Sequence, residues 1–231
     1  MAPIHDAARD ADVETLRRLL AEDVPPDTVD NIDEDWERTP LHVLCRNVEC
    51  ATRDHEACIM LLRDAGANLE ATDIVGLTPL HYAAISESVE LVSWLVQSGV
   101  NLDAASKNSY TTALHVAAGR DSRANCVEVL LAAGASPHVR DWNGNTPFRV
   151  ALRNRRHRAW PLFLRAGAEL PAAGSYHPDP YLERVVAAGG FQRYAQAHFT
   201  RIASILQTPL LPPELVRKAV SYTHLTLPTK A

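Results

Sequence analysis

The sequence has little cysteine and few aromatic residues, and each shortage excludes a class of protein. Four cysteines occur in 231 residues. Because they are few and unevenly placed, they fit reduced thiols in an intracellular protein better than a disulfide framework. Phe, Trp and Tyr make up only 6% of the chain. A globular enzyme of this size would use more large rings, whereas a core of Ala, Leu and Val suits thin, closely stacked helices.

Long apolar runs and an excess of positive charge are also absent. No stretch of 18 apolar residues occurs, so we expect no membrane span. The first residues lack a basic region followed by an apolar run, so we expect no signal peptide. The net charge is −5, which gives no global indication of a nucleic-acid partner. We therefore expect a cytoplasmic or nuclear protein.

Motifs that carry catalysis or bind cofactors are missing. No Gly-rich phosphate loop, CxxC pair, HExxH or GxSxG is present, so we expect no enzyme activity, no catalytic residue and no cofactor. Cys45, Cys50, His55 and Cys58 lie close together, but their spacing fits no familiar zinc finger. We expect structural thiols there and no metal, with Cys45 and Cys58 at buried helix positions.

Two phrases recur along the chain instead. Successive threonines of the first phrase are 39, 34 and 34 residues apart. That phrase reads Thr39-Pro40-Leu41-His42, Thr78-Pro79-Leu80-His81, Thr112-Ala113-Leu114-His115 and Thr146-Pro147-Phe148-Arg149. The second phrase follows each one and has a glycine as its next-to-last residue, at Gly66, Gly99, Gly134 and Gly167. Ile4–Leu20 reads as a shortened first unit without the Thr-Pro opening.

These phrases resemble the ankyrin repeat, T-P-L-H-x-A-A followed by L-L-x-x-G-A at a period near 33. The resemblance covers residues 4 to about 170 and implies an all-α solenoid of stacked helix–turn–helix units with projecting hairpin loops. The predicted repeats are 4–34, 35–72, 73–105, 106–140 and 141–170. In this family the recurring histidine bonds within and between units, so His42, His81 and His115 are expected to be structural.

The repeat residues have physical reasons. Threonine caps free amides at a helix start, and proline is tolerated at the first helical position. Glycine ends the second helix in a left-handed conformation. Val89, Val92 and Leu95, with Val96 beside them, are expected to form the buried stripe of one second helix. Pro161 falls early in another second helix and is tolerated there only if that helix begins near Arg158.

The units also depart from the pattern in places. The second unit has six extra residues, which we assign to Arg46–His55, between its two helices. The fourth has one extra residue, assigned to Asp121–Ala124. Glu87 and Arg155 replace the glycine that usually joins the two helices of a unit.

The resemblance also implies a protein partner, bound by the hairpin tips and first helices along a concave face. At the tips we expect Trp36, Ile74, Val75, Lys107, Asn108, Trp142 and Asn143 to contact it. On the first helices we expect Val43, Tyr82 and Val116 to do so. Exposed tryptophan is the commonest hot-spot residue of interfaces; the alternative is that each large side chain folds back on its neighbour.

The C-terminal region has a different composition. Residues 171–180 read as a linker, 181–220 as a helical cap with helices at Tyr181–Ala188 and Phe191–Leu206, and 221–231 as a disordered or spurious tail. Leu211-Pro212-Pro213-Glu214-Leu215 loosely resembles a SOCS box or the opening of an F-box, which would make the protein a substrate adaptor of a ubiquitin ligase. The cysteine that a SOCS box offers to elongin is missing, and little chain remains for an F-box.

Charge is distributed unevenly between the two ends of the repeats. Ala21–Glu37 holds eight acids and no base, and Arg149–Arg165 holds six arginines and no acid. Such runs are usually solvated faces, but ends of opposite sign are also suited to a two-ended partner or to head-to-tail self-association. We expect a monomer.

Overall fold

The computed structural model describes residues 3–29, 36–46, 52–120, 124–170 and 179–206, with side chains as far as residue 198. These residues form twelve α-helices and no strand. The first ten helices are α1 Pro3–Arg9, α2 Val13–Ala21, α3 Pro40–Leu44, α4 Arg53–Asp64, α5 Pro79–Ile85, α6 Val89–Gln97, α7 Ala113–Arg120, α8 Asn125–Ala132, α9 Pro147–Arg153 and α10 Trp160–Arg165. Two more follow, α11 Pro180–Ala187 and α12 Phe191–Leu206. The all-α prediction is confirmed.

The first ten helices form two layers. The first helices of the units, α1, α3, α5, α7 and α9, pack side by side, and the second helices, α2, α4, α6, α8 and α10, form a parallel row behind them. The core between the layers is built from alanine and leucine, with Leu16, Leu91 and Leu130 fully buried. Each unit completes the core of its neighbour, as in a solenoid.

The helix starts follow the sequence. Thr39 and Thr78 each form a capping box with the histidine three residues on, and a proline occupies the first turn. In α6 the buried stripe is Leu91, Val92 and Leu95. The prediction for Val89 and Val96 was wrong, since both are half-buried. Leu91 is buried instead, because α6 packs against α4 on one side and α8 on the other.

Left-handed residues join the helices. Gly66, Gly99, Gly134 and Gly167 follow the second helices with φ between 80° and 98°, as predicted. Glu87 and Arg155, at the turn between the two helices of a unit, both have φ 54°, so these turns keep the conformation that favours glycine without having one. Pro161 lies in the first turn of α10, where its missing N–H costs no helical hydrogen bond.

The extra residues that were assigned to Arg46–His55 are divided between the segment that joins the two helices and α4 itself. α3 ends at Leu44, and α4 begins at Arg53 and has 12 residues, against nine in α6. Residues 47–51 lie outside the described part. The predicted extra residue of the fourth unit, at 121–123, also lies outside it. Ala124, which follows, has φ 64° and precedes α8.

One histidine per unit binds that unit to the next. His42 Nε2 lies 3.0 Å from the carbonyl oxygen of Leu77, the residue before the next capping threonine. His81 repeats this contact with Thr111 at 2.8 Å, and His115 with Asn145 at 3.0 Å. On the other side of each ring, Nδ1 accepts the threonine backbone N–H within the same unit, at 3.1 to 3.2 Å.

These contacts fix the ring's protonation. A backbone N–H only donates and a carbonyl only accepts, so Nδ1 is unprotonated and Nε2 carries the proton, which is the neutral imidazole. Burial, the largest effect, lowers the pKa of His42, His81 and His115 below the ordinary value, although the carbonyl contact raises it. The recurring histidines are therefore structural, as expected.

A second contact repeats where the second helices end. The carboxylate of Asp27 accepts the backbone N–H of Asn68 in the next unit at 3.0 Å. Glu70 does the same for Asn101, and Asp103 for Ser136. The stack therefore has polar contacts between neighbouring units on both helix layers.

The chain divides into two compact regions, residues 1–176 and 177–231. The second contains α11 and α12, within a residue of the predicted helices. Leu182 and Val185 of α11 are buried, and the ring of Tyr181 meets that of Tyr194 edge to face at 5.6 Å. The predicted linker residues 171–178, the helix after Pro209 and the tail lie outside the described residues. Among the described helices, none is long and apolar enough to cross a bilayer.

We predict that acid destabilises the stack through these histidines. Their folded-state pKa values lie below the unfolded value of 6.5, so the unfolded chain binds more protons as the pH falls below about 6.5. The free energy of unfolding should be steady above that pH and fall below it, by up to about 1.4 kcal/mol per pH unit for each histidine. Urea unfolding between pH 8 and pH 5 measures this.

A His81→Gln variant is the matched comparison. It removes one of the titrating rings, so it should be less stable at pH 8 yet lose less stability on acidification. An unfolding free energy that does not change between pH 7.5 and pH 5 in the wild-type chain would contradict the prediction.

Candidate partner-binding surface

Hairpin loops project between successive units, and we call them the finger loops. The described ones are residues 36–38, 73–77, 106–111 and 141–145. The Asp73 carboxylate closes its loop by accepting the backbone N–H groups of Val75 at 3.0 Å and Leu77 at 2.8 Å. Asp141 closes its loop in the same way, with Asn143 at 2.9 Å and Asn145 at 2.7 Å. Short polar turns of this type need no support from a partner.

The loop at 106–111 is different. Ser106 replaces the aspartate, and its hydroxyl accepts the backbone N–H of Thr111 at 3.1 Å. The chain closes from Ser106 to Thr111 where the preceding loop closes from Asp73 to Leu77, so this loop is one residue longer. The added length places Tyr110 in a left-handed conformation, φ 51°, with its side chain 57% exposed.

Backbone hydrogen bonds join each finger loop to the next. Ile74 N–H donates to Trp36 O at 3.3 Å, Lys107 N–H to Val75 O at 3.0 Å, and Trp142 N–H to Ser109 O at 2.9 Å. This series, which we call the tip ladder, fixes the order and spacing of the tips. The side chains at the tips are therefore presented by one continuous support.

Gly76 is at the point of closest approach in the tip ladder. Its φ is 83°, and a Cβ atom there would lie 2.4 Å from the backbone nitrogen of Lys107. Gly144 is the equivalent residue two loops on, with φ 73°, and no described atom lies within 4 Å of the same position. Both positions therefore need a left-handed backbone, and only Gly76 also needs the absence of a side chain.

The tip residues predicted from the sequence differ in exposure. Trp142 is 68% exposed and Ile74 42%. Lys107, Asn108 and Asn143 are also exposed, and Val75 is half-buried. Tyr110 was missed because it is absent from the repeat's usual tip positions; the signal was an aromatic residue inside the polar stretch Lys107–Thr111. Tyr110 adjoins Ser109, which is hydrogen-bonded to Trp142.

Trp36 has a different environment. It is half-buried, and the guanidinium carbon of Arg38 lies 4.7 Å from the centre of its ring. Arg38, itself buried, donates from Nε to the Tyr82 hydroxyl at 3.0 Å, and that hydroxyl donates to Asp73 at 2.8 Å. Trp36 therefore folds back on a neighbour, the alternative that sequence analysis left open for each large tip side chain.

The predicted first-helix positions form the floor of this surface. Val43 and Tyr82 are buried, at 8% and 5% exposure, and Val116 is half-buried. Burial is the main reason that the pKa of Tyr82 is raised, and its hydrogen bond to Asp73 adds to the effect. Val43 and Tyr82 thus lie beneath the surface, and the exposed apolar area is at the tips.

The His, Cys, Asp and Glu side chains of the described residues were compared with the needs of a metal site. Among them no group of three or more His, Cys, Asp or Glu side chains is placed to hold a metal ion. Cys45 and Cys58 are buried, as predicted, and burial raises the pKa of the Cys45 thiol to about 12, so that thiol is not a nucleophile near neutral pH. Cys50 lies outside the described residues.

We predict that Gly76→Ala is more destabilising than Gly144→Ala. Both substitutions place a Cβ in a left-handed residue, which costs about 1–2 kcal/mol. Only Gly76→Ala also collides with the backbone of the next finger loop. Urea denaturation should show a larger loss for Gly76→Ala, and equal losses would show that the tip ladder does not hold the loops at this spacing.

Comparison with known proteins supports the repeat assignment. A family model described as ankyrin repeats in three copies matches residues 4–106, and one described as ankyrin repeats in many copies matches residues 95–151. The chain is 30% identical to the tyrosine-protein kinase HTK16 of Hydra vulgaris, over 69% of the chain and 20% of that protein. It is 32% identical to the human ankyrin repeat and SOCS box protein 16, over 62% of the chain and 32% of that protein.

A plant protein shows a higher identity. The putative E3 ubiquitin-protein ligase XBAT31 of Arabidopsis thaliana is 39% identical over 73% of the chain and 38% of its own length. The chain thus spans less than two-fifths of each of these relatives, which share its repeats. The matched residues contain the Thr-Pro-Leu-His phrases, the interlocking histidines and the finger loops, and the chain belongs to the ankyrin-repeat family.

Proposed function

We propose that the protein is a non-enzymatic interaction scaffold whose finger loops bind another protein. The observation that carries this proposal is the set of large side chains along the tip ladder, Ile74, Tyr110 and Trp142, which are 42%, 57% and 68% exposed. Ankyrin repeats bind proteins as a family, which supports a protein partner over any other class of ligand.

Trp142 and Tyr110 expose large aromatic side chains to water at the tips. Leaving large apolar surface in water has a cost of about 25 cal/mol for each Å², and a loop that only had to turn would need no aromatic residue. Bound by a partner, tryptophan and tyrosine give large contact areas and lose little side-chain entropy. The tip ladder holds them in place before binding, so little ordering cost falls on the complex.

The other predicted residues take supporting parts in this proposal. Lys107, Asn108 and Asn143 are exposed and polar, as at the rim of an interface. Val75 and Val116 supply the half-buried floor. Trp36, Val43 and Tyr82 lie beneath, where the contact of Trp36 with Arg38 and the hydrogen bonds of Tyr82 keep the first tip in position.

We propose a monomeric protein in the cytoplasm or nucleus. It would have no cofactor and no nucleic-acid or membrane partner. Among the described residues, Cys45, Cys58 and Cys126 are buried and form no disulfide, which fits a reducing compartment.

The test is affinity capture with the intact protein and an Ile74→Ala/Tyr110→Ala/Trp142→Ala variant. Hot-spot truncations cost about 2 kcal/mol or more each, so the variant's affinity for a captured partner should fall by at least 30-fold. A Met60→Ala variant is the control, since this apolar residue is 46% exposed and lies on α4, the second helix of its unit, and not at a tip. Circular dichroism checks that both variants fold. Equal affinity of the tip variant and wild type would contradict the proposal.

A second candidate function is that of a substrate adaptor for a ubiquitin ligase. Two of the relatives favour it by name, one with a SOCS box and one as a putative ubiquitin ligase, and Leu211–Leu215 is the segment that loosely resembles a SOCS box or an F-box. In this case the tips would bind the substrate and the C-terminal region the ligase.

Capture experiments separate the two candidates. If the adaptor proposal is right, the full chain should capture ligase subunits, a Leu211→Glu/Leu215→Glu variant should lose them, and the tip variant should retain them. If no ligase subunit is captured, or if the Leu211→Glu/Leu215→Glu variant retains them, the adaptor proposal fails and the scaffold proposal is unaffected.

A further inference from the structure

Arginines are concentrated at the helix ends opposite the finger loops, around the inter-helix turns of the last two units. Arg153 ends α9, Arg155 and Arg156 lie in the turn, and Arg158 precedes α10. The Nε of Arg156 donates to the carbonyl of Gly119 at 3.1 Å, which joins this turn to the end of α7, where Arg120 lies. We call these the basic turn surface: Arg120, Arg153, Arg155, Arg156 and Arg158.

The basic turn surface is exposed and carries little compensating charge. Four of its arginines are exposed and Arg156 is half-buried. The ion pairs formed between described residues involve Arg9 and Arg63, and no arginine of the surface is among them. Asp121 and Arg123 follow Arg120 in the sequence and lie outside the described residues. Like charges on one surface repel one another, so an arriving anion both gains attraction and relieves repulsion.

The backbone does not require arginine at this turn. Arg155 has φ 54°, and Glu87, at the equivalent turn of the third unit, has the same φ. A residue of opposite charge thus serves the same turn, and the sign of the surface is independent of the fold. All five basic residues are arginines, whose planar guanidinium binds a carboxylate through two parallel hydrogen bonds.

We propose that the basic turn surface docks a short acidic segment, rich in Asp and Glu, of a partner protein. The surface spans the turns of two neighbouring units, whose helices pack about 8–10 Å apart, so a few extended residues at about 3.3 Å each cover it. Duplex DNA or an anionic membrane would extend beyond it and meet a chain whose net charge is −5. A short carboxylate segment contacts the arginines alone.

This site is separate from the finger loops. The turns and the tips lie at opposite ends of the helices, because the first helix of each unit runs from a finger loop to a turn and the second runs back. The two surfaces are therefore available to different segments at the same time. The proposal stands whether or not the tips bind the partner proposed above.

The test uses the full chain and a fluorescein-labelled octaglutamate peptide, followed by fluorescence anisotropy at 50 mM and 150 mM NaCl. We expect saturable binding that weakens with salt, and at least a tenfold loss of affinity in an Arg153→Glu/Arg155→Glu/Arg158→Glu variant. An Arg17→Glu/Arg18→Glu/Arg165→Glu variant has the same net charge and replaces exposed arginines elsewhere, so it should bind like wild type. The Ile74→Ala/Tyr110→Ala/Trp142→Ala variant should also bind like wild type.

Other ligands and a milder variant complete the design. Labelled octaglutamine, a 12-base-pair DNA duplex and vesicles containing an anionic phospholipid are titrated in parallel. If the charge-reversed chain fails to fold by circular dichroism, Arg153→Gln/Arg155→Gln/Arg158→Gln takes its place. No binding of octaglutamate at 50 mM NaCl, equal loss in both reversed variants, or tighter arginine-dependent binding of DNA or vesicles would each overturn the proposal.

Discussion

Each unit of the stack is held to the next by one neutral imidazole ring. The ring accepts a hydrogen bond from the threonine that begins its own helix and donates one to the backbone just before the next threonine. The rings of His42, His81 and His115 are buried, so an unsatisfied ring nitrogen would be costly. In the first unit, His5 Nε2 keeps the contact to the next unit, 3.0 Å from the carbonyl oxygen of Arg38, the residue before Thr39. The contact within that unit is lost, because Ala2 stands in place of threonine, and His5 Nδ1 has no hydrogen-bond partner among the described residues. In the last unit, Arg149 replaces the histidine.

This contact between units has a direct effect on the surfaces. Because each histidine binds the residue that leads out of the next finger loop, it sets where that loop leaves the helices. The tip ladder then orders Trp36, Ile74, Tyr110 and Trp142 along one edge. The inter-helix turns are left free at the other end, where nothing in the fold selects the charge. The candidate surface at the tips is thus positioned by the core, while the basic turn surface is defined by side chains alone.

The sequence was enough to predict what one unit determines for itself. The threonine caps, the ending glycines and the burial of Cys45 and Cys58 follow from local pattern and period, and the structure agrees. Properties that depend on the neighbouring unit were less predictable. Leu91 faces the core instead of Val89 because α6 packs against helices on both sides. Trp36 is covered because Arg38 connects it to Tyr82 and Asp73 of the next unit, a contact across 44 residues from Arg38 to Tyr82. Tyr110 was missed because a single added residue makes its loop depart from the repeat.

The nearest-neighbour arrangement of the units has a mechanical consequence. The contacts described here join each unit mainly to the one beside it. A pulling force on the two ends of the stack therefore acts on every interface between neighbouring units. The interfaces are built alike, from a few polar bonds and a thin apolar layer, so we expect them to yield at comparable forces. Such a chain gives way one unit at a time, and the units still stacked keep their order. Under tension, such a protein would therefore extend in several steps and not in a single one.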